Sequence, residues 1–161
     1  MQNQIESSMY LVGQLFLIPT LALISLLFLY AFWVLGEFVV LSLRRKKGQG
    51  KALLAAYRQQ PDLSDDALDV LAHKMLETQR IASRVAPMLG LVATMIPMGP
   101  ALKSLSDGNL ADVSGNLTVA FSAVILALIA ASITYWVVNV RRRWLAEELL
   151  EIAAIKQGNA K

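Results

Sequence analysis

From residue 7 to residue 36 the chain carries no charged side chain. This run lies inside an apolar stretch covering residues 9–43, and a bilayer-spanning helix needs only about 20 mostly apolar residues. Its centre, LIPTLALISLLFLYAFWVLG, is apolar on every face, which suits lipid rather than a half-solvated surface. The excess length predicts a helix that tilts or projects from the membrane over residues 37–45. Pro19 is placed to kink its outer half. The first residues, MQNQIESSMY, carry an acid and no Lys or Arg, and the run is too long for the apolar region of a cleaved signal peptide. A signal anchor is the better reading.

Composition extends the membrane argument to the whole chain. Hydrophobic residues make up 56% of the 161 and charged residues 17%, with a mean hydropathy of +0.52. Soluble domains are about 45–50% apolar and about 25% charged, and a chain this small has limited capacity to bury such an excess. The same figures exclude disorder. The absence of cysteine removes disulfides, thiolate zinc sites and cysteine nucleophiles, and the single histidine, His73, removes a histidine-rich metal site. No metal or cofactor is expected.

A second span is expected over about residues 85–105, where VAPMLGLVATMIPMGPAL holds three prolines; Pro97 and Pro100 are placed to bend its outer end. A third, charge-free in its core, is expected over about residues 116–140. RRKK follows the first span, Arg80 and Arg84 precede the second, and Arg141, Arg142 and Arg143 follow the third. With the N-terminus outside, Lys103 alone of fifteen Lys and Arg residues lies on the far side, which orients the C-terminus to the cytoplasm. The basic clusters then serve as topology signals and lipid-headgroup contacts, and the pI near 9.3 does not signal nucleic acid.

The expected fold is all-α: three transmembrane helices, the second and third long and extending into a cytoplasmic helical bundle. Within the insert of residues 44–84, ALLAAYRQQ reads as a short helix ended before Pro61. Ser64 is a good N-cap, followed by acids in the first turn. Leu68, Leu71, Met75 and then Thr78 or Gln79 keep helical spacing, so one helix is expected from Ser64 to Leu105. An outer loop over residues 106–115 precedes a helix from about Asp112 to Lys156, whose inner end over residues 141–157 keeps Leu145, Leu149, Ile152 and Ile155 in helical register.

Neither the second nor the third span carries a charged side chain in its core, although intramembrane charges usually mark ion or proton relays. Glu37 is the one acid inside an apolar run and is read as interfacial, as is Lys103. A titrating carboxylate for ion movement would have to come from another chain. Ala86, Gly90, Thr94, Pro97 and Ala101 follow steps of three or four, as do Ala120, Ala123, Ala127, Ala130 and Thr134. Such rows let helices approach closely; a second reading places them on a pore face. Thr94, Thr118, Ser122, Ser132 and Thr134 offer hydroxyls for a neighbouring helix, a wet path, or their own helix carbonyls. There is no catalytic triad, phosphate loop or metal-ligand spacing, so no enzyme is expected.

RVAPMLGLVATMIPMG resembles the second-span signature of the MotA/TolQ/ExbB proton channel family, roughly A-P-x-L-G-L-x-x-T-x-x-G. Ala86, Pro87, Leu89, Gly90, Leu91 and Thr94 match in register and Gly99 approximates the later glycine. AFSAVILALIAASITYWVVNVRRRW is similar to the family's final span. An ungapped match puts Val124 at that span's threonine, with Ser122 the nearest hydroxyl, and an apolar residue near Val119 where some members carry glutamate. The resemblance implies a homo-oligomer, a pentamer of tall helices, around the membrane helices of single-span ExbD/TolR/MotB-like partners whose aspartate carries the proton. Thr94, Ser122 and Thr118 would border the path, and Ala86, Pro87, Gly90, Pro97, Gly99, Ala123 and Ala127 would form the motif and its packing. The resemblance implies a subunit of an inner-membrane, proton-driven motor; a non-conducting scaffold or an accessory transporter subunit is the alternative.

Overall fold

The computed structural model describes the backbone of residues 2–159 and the side chains of residues 11–158. Four helices follow one another: α1 (Gln2–Lys46), α2 (Ala52–Gln59), α3 (Asp65–Ser106) and α4 (Leu110–Asn159), with no strand among the described residues. Three are long and apolar enough to cross a membrane. At 1.5 Å per residue, the 42 residues of α3 extend about 63 Å, about twice a hydrocarbon core. Pro19 lies inside α1, and Pro87, Pro97 and Pro100 lie inside α3, without ending either helix.

Local chemistry sets the helix ends. Ser64 caps α3 as expected, its hydroxyl accepting from the Ala67 amide at 3.2 Å. The outer connection is shorter than residues 106–115. Asn109 accepts from the Asp112 amide at 3.3 Å and its side-chain amide donates to the Asp112 carboxylate at 2.6 Å, so α4 begins at Leu110. Gly108, at φ +75°, supplies the left-handed turn that closes α3.

Two compact units divide the chain. The first comprises Met1–Phe32 and Ala82–Ser132; the second comprises Trp33–Ile81 and Ile133–Lys161. In the first, Ile24 of α1 packs with Ala93, Ala123 and Ala127, flanked by Leu21, Leu89 and Leu126. In the second, Leu53, Leu54 and Tyr57 of α2 meet Leu68 and Ala72 of α3 and Ile152 of α4, with Leu145, Leu149 and Ile155 packed alongside. The buried line on α3 in this unit runs Leu68, Ala72, Leu76, Gln79, while Leu71 and Met75 are half-buried. Ala72 takes the place on that line that the spacing of large side chains gives to Leu71 and Met75.

Candidate functional site

The first unit is organised by the close approach of α3 and α4. A Cβ on Gly90 would fall 2.9 Å from the Ala127 Cβ and 3.3 Å from Val124 Cγ2, so only glycine fits without movement. Ala86, Gly90, Ala93, Pro97 and Ala101 of α3 are buried, as are Ala120, Ala123, Ala127 and Ala130 of α4. The small-residue rows therefore pack α3 against α4 within one chain. This is the packing role read from their spacing, and at Gly90 the partners are the Ala127 and Val124 side chains. Ala93 also replaces Thr94 in the buried row, leaving Thr94 half-buried.

The hydroxyls fall into two groups. Thr118 and Ser122, one turn apart on the exposed side of α4, border an open groove with Ser25 of α1, floored by Leu21, Ile24 and Leu126. Thr94 does not line that groove. The Thr94 hydroxyl donates to the Leu91 carbonyl at 2.7 Å and that of Thr118 to the Ser114 carbonyl at 2.8 Å. Back-bonding of this kind meets the need for a partner in lipid while leaving the oxygen's lone pairs open. Pro87 is half-buried; Gly99 and Lys103 are exposed, and the Lys103 carbonyl accepts the Ser106 hydroxyl at 2.7 Å. Large apolar side chains such as Met88, Leu91, Met95, Phe121 and Ile125 project outward, a surface suited to lipid or to other membrane helices.

The second unit holds an ionic and aromatic network. Glu37 accepts from Arg141 at 3.2 Å. Phe38 meets Trp136 edge-on at 5.0 Å and stacks on Trp144 at 5.1 Å, and the Arg45 guanidinium lies 5.0 Å over Trp144. Glu148, only 2% exposed, receives Arg45 at 2.5 Å through one oxygen. Its other oxygen accepts the Leu53 and Leu54 amides at 2.9 and 3.4 Å. No side chain within α2 caps its start; Glu148 of α4 does so, placing negative charge where a helix N-terminus needs it. Lys51–Glu151 and Lys156–Asp65 add pairs at 2.5 and 2.7 Å. His73 is exposed, its Nδ1 2.9 Å from the Asp69 carbonyl. No group of three or more metal-ligating residues occurs among the described residues.

Sequence reasoning passed over Glu148. The available signal was its register: it falls three residues after Leu145 and four before Ile152, on the apolar line itself.

The model of the MotA/TolQ/ExbB proton channel family matches residues 47–154, more than half of the chain. The chain belongs to this family. The match takes in α2, the whole of α3 and most of α4, including Ala86, Gly90 and Thr94; α1 precedes it. No curated protein and no solved structure matches the chain closely enough to add a second comparison. Family membership and three apolar helices together make this a multi-pass membrane subunit of proton-channel type.

Proposed function

We propose that the chain is the ring-forming, non-enzymatic subunit of an ion-driven motor in the cytoplasmic membrane, with its N-terminus outside. Copies of the chain, five by family resemblance, surround the membrane helices of a single-span ExbD/TolR/MotB-like partner. The ion is H⁺, carried on that partner's aspartate. One observation carries this reading: no carboxylate, amine, guanidinium or imidazole occurs on α3 between Arg84 and Lys103, or on α4 between Asp112 and Arg141, although hydroxyls do. A path that passes protons through such a span must borrow its titrating group.

Each element has a part in this mechanism. The Gly90–Ala127 contact packs α3 closely against α4 within the first unit. Thr94, Thr118 and Ser122 offer oxygen lone pairs to a protonated carboxyl or to water as the partner moves past. One elementary charge moving down 100 mV releases about 2.3 kcal/mol, so several protons would be needed for a large conformational step.

The double variant Thr94→Val, Ser122→Ala tests the path. Reconstituted with its partner, it should keep the mass of the wild-type complex and lose most proton flux. Undiminished flux would show that these hydroxyls are not on the path, while a wild-type complex that itself passes no protons would favour the scaffold reading.

A further inference from the structure

We propose that the outer face of α4 bearing Glu147, Leu150 and Ala154 docks into the groove between α2 and α3 of a second copy of this chain. The proposal rests on the homo-oligomeric reading and specifies how neighbouring copies meet outside the membrane.

In the charged part of the second unit Leu150 is 73% exposed and Val70 67%. Lipid cannot cover them. Leu150 lies seven residues past Arg143 on a segment with Glu147, Glu148 and Glu151, and Val70 follows Asp65, Asp66 and Asp69. Val70 borders an open groove whose α2 side is Ala56, Gln59 and Gln60 and whose α3 side includes Ala67, Leu71 and Lys74. Leu150 points away from the chain's own core, since Glu148 and Ile152, each two residues away, are both buried.

Register links these two surfaces. The ion pair of Lys156 with Asp65, the packing of Ile152 with Leu68, and the groove shared by Arg142 and Arg80 fix the heights of α4 against α3. α3 and α4 run antiparallel, so a step along one matches a reverse step along the other. Leu150 is then level with Val70 and Leu71, Ala154 with Ala67, and Glu147 with Lys74. A ring whose axis runs along the helices carries each side chain to its neighbour at unchanged height, through a head-to-tail contact. Leu150 therefore meets the apolar groove, small Ala154 meets small Ala67, and a carboxylate meets an ammonium. Glu147 already pairs with Arg45 at 3.2 Å and lies 3.9 Å from the Arg143 guanidinium, yet stays 56% exposed, so it can accept a further cation.

The chain has no native cysteine, which makes disulfide trapping clean. Val70→Cys and Leu150→Cys, placed on separately tagged copies of the full chain and co-expressed, should form a mixed disulfide dimer in membranes on mild oxidation. Pairing Leu150→Cys with Glu77→Cys, about 9 Å away in height at 1.5 Å per residue, should reduce the yield several-fold. Lys74→Glu alone should loosen the oligomer, and adding Glu147→Lys should restore it. An intact oligomer by native mass with no Val70–Leu150 crosslink, or equal crosslinking at the mismatched height, overturns this interface and leaves the ring reading standing. A monomer by native mass overturns both.

Discussion

Gly90 and Glu148 show how single side chains constrain this molecule in opposite ways. At Gly90 a methyl group has nowhere to go: the 2.9 Å approach to Ala127 means that Gly90→Ala must push α3 and α4 apart. Overpacking of this kind costs about 1–3 kcal/mol, and Ala127→Gly in the same chain should recover most of it. Unfolding in detergent, followed by helical content, reads both changes. Glu148 is constrained by charge: its removal leaves Arg45, whose side chain is 16% exposed, and two α2 amides without their acceptor. Glu148→Ala should cost about 3 kcal/mol or more, while Glu148→Gln, which keeps an acceptor oxygen, should cost less. The first should also raise hydrogen exchange at the start of α2. If both variants unfold like the wild type, the cap is not a stabilising contact.

At the scale of the helices, the ends are set by short polar motifs. Ser64 was legible in advance because it precedes two acids and an apolar-periodic run. Asn109 was not, because it sits in a polar stretch in which the start of the helix is read at about Asp112. Only the reciprocal bonding with Asp112 distinguishes it. Asn109→Ala should cost about 1 kcal/mol and fray the first turn of α4, read as faster amide exchange at Ala111 and Asp112. The three spans were legible from runs without charge, which depend on transfer free energy and little on neighbours. Which face of each span is buried was harder to read. Spacing gave packing as the reading of the alanine rows, and the Gly90 contact shows which residues of the two helices meet. Thr94 left the buried row for the same reason: tight contact selects Ala93, and a hydroxyl one residue on turns aside. Glu148 stayed hidden because an acid on an apolar stripe reads as a break in the pattern, and its partners lie about a hundred residues away.

For the molecule as a whole, the spans leave their outward surfaces covered by Met88, Leu91, Met95, Phe121 and Ile125, with Thr118 and Ser122 among them. A single chain leaves such a face to lipid and to other helices, and the family to which it belongs builds assemblies in which both are present. The cores of its second and third spans hold hydroxyls and no charged group, so in the proposed mechanism the proton-bearing carboxylate belongs to a different polypeptide. Proton flux into vesicles, measured with the purified chain alone and then with a single-span subunit carrying a membrane aspartate, tests that assignment most directly. The chain alone should give no flux above empty vesicles; flux should appear with the second subunit and vanish when its aspartate becomes asparagine. Free passage of protons through the chain by itself would contradict it.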